Sequence, residues 1–323
     1  MRAAWLSESA FLILCVARLV AMPTTDSGQV GSQAWMMAEI DALIRTFRCQ
    51  HWYIDIGTNR GVQIRKLFEP ARYPNATVLP LYHKLFGPRP ECARVCVLGF
   101  EPNPHHHNSL FRLQNRLRSL GAGVLVVPAA AGDAEGVLTF AVNKPNRTDE
   151  NSDWSASAFP AWRGTAQWDR IMPKGGFGLH AGMQVPMVDV APAIKAVSAS
   201  LDAITGHVLM KMDCEGGEYK LLPHLAFSQA LCLADYIYIE WHEQIFSRAV
   251  AKTNAVMQHL RGGHQGSDAM VVMMRAIHDT AQAITTRAGC PTVLKTLADE
   301  DSYLEKRPLP LGPLCDASAQ VVE

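Results

Sequence analysis

The sequence carries no excess of charge of either sign: 30 Lys and Arg stand against 30 Asp and Glu. A balanced chain has no electrostatic reason to seek nucleic acid, so that class of partner is set aside. Beyond the N-terminus there is no apolar run clean enough to cross a bilayer, which takes about 20 residues. No internal repeat is present, so solenoids and propellers are excluded. Cys92 and Cys96 have a spacing compatible with zinc, but no second pair follows at finger distance. Small buried residues with a disulfide are therefore the favoured reading. What remains is an ordinary globular composition, 48% hydrophobic and 19% charged over 323 residues. That length suits about two domains or one longer α/β unit.

The N-terminus stands apart. After Arg2, the run AFLILCVARLVA (Ala10 to Ala21) precedes the polar MPTTDSG. It resembles a secretory signal or signal anchor with a cleavage site at Leu19-Val20-Ala21; Glu8 and Arg18 depart from that pattern, and the alternative is a buried N-terminal helix. The sequons Asn75-Ala76-Thr77 and Asn146-Arg147-Thr148 fit a lumenal chain. The expected location is the secretory pathway, with a possible N-terminal membrane anchor; the alternative is the cytoplasm. Of 8 cysteines, loss of Cys15 with a signal would leave an odd number, so one at least would be unpaired within the chain.

Periodicity predicts strands alternating with helices. Gln33 to Phe47 is helical in its spacing of Trp35, Met36, Ile40, Leu43 and Ile44; His51 to Ile56 is a buried strand, and Gly61 to Phe68 a helix. Five prolines make 69–91 look like an inserted loop. Arg94 to Phe100 is a second strand, His105 to Leu120 a helix closed by Gly121, Gly123 to Ala131 a third strand, and Gly136 to Val142 another. The polar stretch 143–182, with Trp154, Trp162 and Trp168, reads as a long loop or lid. Val185 to Val190 is a strand and Ala191 to Ile204 a helix; Val208 to Met212, Tyr219 to Cys232 and Tyr236 to Trp241 follow as strand, helix and strand. Helices over 244–260 and 268–288 and short strands at 292–297 and 302–304 close the pattern. Such alternation, with near-continuous apolar strands, predicts a mainly parallel sheet covered on both faces.

Ligands of such sheets bind beyond the carboxyl ends of the strands. Acids fall at four of those ends: Asp55, Glu101, Asp213 with Glu215, and Glu240. One alone would read as a helix cap; together they make a polar rim. In YIDIGTNRG, Gly57 and Gly61 allow close backbone approach, but the middle glycine of the dinucleotide pattern G-x-G-x-x-G is missing. Asp55 before the turn would oppose a phosphate and favour a cationic group. Glu101 can accept both hydroxyls of a ribose. A nucleoside with a cationic amino-acid tail satisfies both ends, which points to S-adenosylmethionine.

In order along the chain, IDIGTNRG, GFEPNP, VPAAAGDAEGVLTF, MKMDCEGGEYKLL and IYIEWH resemble the successive motifs of FkbM-type methyltransferases. The late ADEDSY (Ala298 to Tyr303) is similar to that family's C-terminal hairpin. The resemblance implies a Rossmann-like class I methyltransferase fold, an α/β architecture with a mainly parallel seven-stranded sheet flanked by helices. It implies methyl transfer from S-adenosylmethionine, usually to an oxygen of a small molecule or sugar. On this reading 1–25 is the targeting segment, 26–50 an N-terminal helix, 51–310 the methyltransferase domain with insertions at 69–91 and 143–183, and 311–323 a tail. By position, Asp55, Gly57, Asn59 and Gly61 should line the methionine side, Glu101 the ribose, and Ala131, Gly132 and Asp133 the adenine edge. Asp133 reads equally as a turn residue of G-D-A-E-G.

Methyl transfer to a hydroxyl needs alignment and a proton acceptor. Asp213, Glu215 and His242 are the candidates; His242 has the ordinary pKa range of a base near neutrality. Asp213 could instead hold a divalent metal that orients the acceptor. Glu218 reads equally as a helix start or a ligand contact. The run His105-His106-His107 reads as a solvated helix start, since adjacent helical residues diverge. Two further functions remain open: a non-catalytic binding protein on the same scaffold, and an NAD-dependent oxidoreductase, whose phosphate turn is missing here.

Overall fold

The computed structural model describes residues 30–140, 183–242, 266–287, 289–296 and Leu314. Chain order supplies α1 (Gln33–Phe47), β1 (His51–Ile56), α2 (Val62–Phe68), α3 (Leu79–Phe86), β2 (Val95–Phe100), α4 (Pro104–Ser119) and β3 (Val124–Val127). There follow β4 (Ala130–Gly132), β5 (Gly136–Phe140), β6 (Met183–Asp189), α5 (Val190–Ala199), β7 (Val208–Met212) and α6 (Glu218–Phe227). The last described elements are β8 (Tyr236–Ile239), α7 (Gly266–Thr285) and β9 (Val293–Thr296).

Six strands form one sheet in the order β3-β2-β1-β7-β8-β9, and every pairing in it is parallel. The expected seven-stranded sheet is thus six-stranded among the described residues; the expected strand at 302–304 lies outside them. A second sheet, β4-β6-β5, accounts for the rest. The sequence suggests one strand from Gly123 to Ala131, but the chain leaves the main sheet at Pro128 and joins β6 through Ala130 to Gly132. Proline has no N–H to continue a ladder, which fits a break there.

Side-chain alternation along β1 divides the core. Trp52, Ile54 and Ile56 face the apolar cluster containing Met36, Ile40 and Leu43 of α1 and Ile194 and Val197 of α5. Tyr53 faces the other cluster, with Ile64 and Leu67 of α2, Tyr82 of α3, and Leu110 and Leu113 of α4. Both faces are therefore covered, as continuous apolar strands require.

Residues 69–91 are not a loop. They carry α3 and two 3-10 turns, Pro70–Arg72 and Pro90–Cys92, and bury Leu79, Leu81, Tyr82, Leu85 and Phe86. Three of the five prolines, Pro70, Pro80 and Pro90, hide this because they sit in first turns, where a missing N–H costs nothing. The zinc-compatible cysteines are both oxidised: Cys96 is bonded to Cys49, and Cys92 is also disulfide-bonded. A further disulfide joins Cys232 to Cys290. The expected N-terminal targeting segment, tryptophan-bearing loop, 244–260 helix and ADEDSY hairpin lie outside the described residues.

Candidate functional site

In the main sheet β2, β1, β7 and β8 are consecutive neighbours. Their carboxyl ends therefore bring Glu101, the β1 turn, Asp213 and Glu240 onto one edge, as the sequence suggests. Backbone bonds lock the edge: Gly57 and Thr58 donate to the Phe100 carbonyl, Asp213 N–H to that of Ile56, and Glu240 N–H to that of Met212.

The β1 turn needs its glycines. Gly57 has φ +80°, and a Cβ there would meet the Asp213 carbonyl oxygen at 1.8 Å. A Cβ at Gly61, also at φ +80°, would meet Leu113 and Leu110 of α4 at 2.8 and 3.0 Å. One glycine seats the turn on β7 and the other seats it on α4. Asn59 between them is left-handed at φ 52°, a conformation asparagine tolerates better than most residues.

Glu101 fastens this turn. Its Oε2 accepts from Asn59 N–H at 2.6 Å and its Oε1 from Asn103 N–H at 2.7 Å. Asn103 then caps α4 by accepting from His105 N–H. Each carboxylate oxygen keeps a second lone pair for a further donor. Burial pushes Glu101 up to about 8, against the pull of the two amide bonds and of Lys211. Asn59 Oδ1 and Asn103 Nδ2, on the residues that flank Glu101, are buried without a hydrogen-bond partner among the described residues. Ligand hydroxyl and ammonium groups are the kind that would complete them.

Asp55 sits differently from expectation. It is 0% exposed, beneath the turn, on the same face of β1 as Tyr53. Its register partner on β7 is Lys211, whose Nζ lies 3.5 Å from Oδ1. The same Nζ donates to the Gly57 carbonyl at 2.6 Å and stands 3.1 Å from Asp213 Oδ2. Burial raises Asp55 to about 6, although Lys211 opposes the shift. Lys211 itself loses from burial but is held above the ordinary lysine range by Asp213 and Asp55. The negative rim open to a cationic ligand is thus formed by Asp213, Glu215 and Glu240, with 26, 26 and 30% side-chain exposure, and not by Asp55.

Sequence reasoning missed Lys211, the hub of these contacts. Its signal is a charged residue inside the apolar run VLMKM, two residues after Leu209, on the face shared with Tyr53 and Asp55. A buried lysine there requires an acid in register.

His242 is held by a carboxylate that the sequence left undecided. Glu218, the first residue of α6 and 0% exposed, accepts from Cys214 N–H at 3.0 Å and bonds His242 Nδ1 at 2.8 Å. It is both a helix start and a positioner of His242. On the other side of the ring, Nε2 lies 3.6 Å from Glu240, 3.8 Å from Asp213 and 3.9 Å from Glu215. Burial lowers the histidine, but Glu218, Glu215 and Asp213 outweigh it and raise it to about 10. These carboxylates thus favour the protonated ring over the neutral form that a base requires.

Ala131 lies in β4, opposite Val188. Asp133 follows β4 and pairs with Lys220 of α6 at 2.8 Å, which depresses its pKa. Of the three histidines only His105 is exposed as a solvated helix start would be: His106 is buried, and His107 Nε2 bonds the Glu101 carbonyl at 2.8 Å, bracing the end of β2.

The model of the methyltransferase FkbM domain matches residues 55–266, from the carboxyl end of β1 to the start of α7. No curated protein and no solved structure matches the chain. The match takes in the glycine turn and all four acidic strand ends and covers more than half of the sequence: the chain belongs to the FkbM methyltransferase family.

Proposed function

We propose that the protein transfers a methyl group from S-adenosylmethionine to a hydroxyl oxygen of a small molecule or glycan. The observation that carries this is the joint between β1 and β2, where one buried carboxylate spans Asn59 and Asn103 N–H groups over a turn that tolerates no side chain at Gly57. Glu101 would take the ribose hydroxyls, and the turn would pass along the amino-acid tail. When bound, the cofactor supplies an electrophilic methyl on a cationic sulfur. Asp213, Glu215 and Glu240 favour that charge and disfavour a diphosphate. The acceptor would lie over the β7 and β8 ends, where Asp213 or Glu215 would take its proton. Asp133 and Ala131 would meet the adenine side.

A lumenal or extracellular setting fits the disulfides Cys49–Cys96 and Cys232–Cys290, since such bonds persist in oxidising compartments. Asn75, the acceptor of one sequon, is exposed. A glycan hydroxyl is accordingly the favoured acceptor class. Calorimetric titration with S-adenosylmethionine and its demethylated product tests the cofactor, and no heat with no thermal stabilisation at millimolar ligand would end the reading. A screen of sugars and glycans with labelled methyl donor tests the acceptor, and label found only on nitrogen would overturn O-transfer.

A further inference from the structure

The geometry points to a divalent-cation site made by Asp213, Glu240 and His242 at the carboxyl ends of β7 and β8, with Glu218 orienting the histidine. This deepens the proposed transfer to a hydroxyl and rests on it. One donor atom from each of the three residues can be chosen so that all lie within 4.8 Å of one another.

Three features separate this group from a chance gathering of acids. His242 Nε2 makes no hydrogen bond among the described residues, because its oxygen neighbours stand 3.6, 3.8 and 3.9 Å away. Donors each about 2.1 Å from one ion, at angles of about 90–130°, are separated by about 3.0–3.8 Å, so the 3.6 and 3.8 Å gaps to Glu240 and Asp213 are those of ligands around a cation. The ring is also aimed. Glu218, wholly buried, takes Nδ1 at 2.8 Å and leaves Nε2 turned toward the carboxylates. Histidines that bind metals usually hand their second nitrogen to such a partner. Lastly, Asp213 is pre-set: Lys211 holds its Oδ2 at 3.1 Å, and it is Oδ1 that faces His242.

Two carboxylates and one imidazole suit a borderline-hard ion such as Mn²⁺ or Mg²⁺, whose remaining positions take water or the acceptor hydroxyl. The ion occupies Asp213, so Glu215 receives the hydroxyl proton. The freed oxygen then bonds the methyl carbon as the carbon–sulfur bond breaks, and that electron pair stays on sulfur. His242 serves as a neutral ligand rather than a base.

The test uses the full chain, stripped with chelator and titrated with Mn²⁺ while free ion is read by electron paramagnetic resonance. Binding of the demethylated cofactor, read by calorimetry, runs in parallel as a check on folding and on the proposed activity. Expected is one Mn²⁺ per chain, bound at least about 10-fold more weakly in Glu240→Gln and His242→Gln and about 10–100-fold more weakly in Glu218→Gln. Cofactor-product binding should persist in all three. No Mn²⁺ uptake at millimolar ion, with product still bound, overturns the metal site and leaves the transferase reading intact. Uptake that is equal in the wild type, Glu240→Gln and His242→Gln also overturns it, because the ion then sits elsewhere. Loss of product binding in the wild-type chain would remove both readings.

Discussion

Replacing Lys211 by methionine isolates the contact that joins the glycine turn after β1 to the carboxyl end of β7. The lysine donates to Gly57 O at 2.6 Å and faces Asp55 and Asp213 at 3.5 and 3.1 Å. Without it, Asp55 remains wholly buried with its nearest counter-charge gone. Removing one member of a buried pair costs about 3–5 kcal/mol. The sign of the pH dependence follows from Asp55. Its folded pKa is already raised to about 6, so the folded state holds the proton more tightly and wild-type stability declines as pH rises toward that value. In Lys211→Met the pKa climbs further and the decline continues to higher pH, at up to about 1.4 kcal/mol per unit. Near pH 5, where Asp55 is protonated in both proteins, the penalty should shrink to the lost hydrogen bonds, roughly 1–2 kcal/mol. Urea unfolding followed by tryptophan fluorescence at about pH 5 and about pH 8 measures both values. Adding Asp55→Asn should recover much of the loss at the higher pH. A penalty below about 1 kcal/mol at pH 8, or one that does not change with pH, would refute the account of a buried lysine neutralising Asp55.

Other outcomes test the remaining parts. Gly57→Ala places a methyl 1.8 Å from the Asp213 carbonyl in a left-handed conformation, so it should cost upward of about 2 kcal/mol and abolish cofactor binding, read by thermal shift and calorimetry. Glu101 ionises near 8; because its charged form accepts ribose hydroxyls best, cofactor affinity should rise as pH passes from about 7 to about 9, and a flat profile would remove it from the ribose site. Its own stability contribution has the opposite sense. A raised carboxyl pKa means stability falls as pH climbs from about 4.5 to about 8, so the affinity gain must be measured by calorimetry and not by melting temperature. The disulfides Cys49–Cys96 and Cys232–Cys290 span 47 and 58 residues, so each paired Cys→Ser variant should lose about 4 kcal/mol on the chain-entropy account. Chemical denaturation under non-reducing conditions checks that value.

Much of this molecule could be read without coordinates. Apolar strands broken by helical spacing gave α1, β1 and β7 at the residues where they occur, because period and burial are local properties. The motif order also identified the four strand ends that carry acids, and the family match covers them. What sequence could not supply was the partner of each charge. Asp55 and Glu101 look alike in one dimension, each an acid closing an apolar run. Register decides between them: Asp55 lies opposite Lys211 and is neutralised beneath the turn, while Glu101 meets two amide groups from other segments. His242 is a neutral base by its ordinary pKa, yet Glu218, Asp213, Glu215 and Glu240 surround it only after β7, β8 and α6 are assembled. The segment 69–91 needed the fold as well, since its prolines obscured a helix whose apolar face is buried against Tyr53 and α2. Composition and period fix which residues are buried; electrostatics depends on distances across strands, and those exist only in three dimensions.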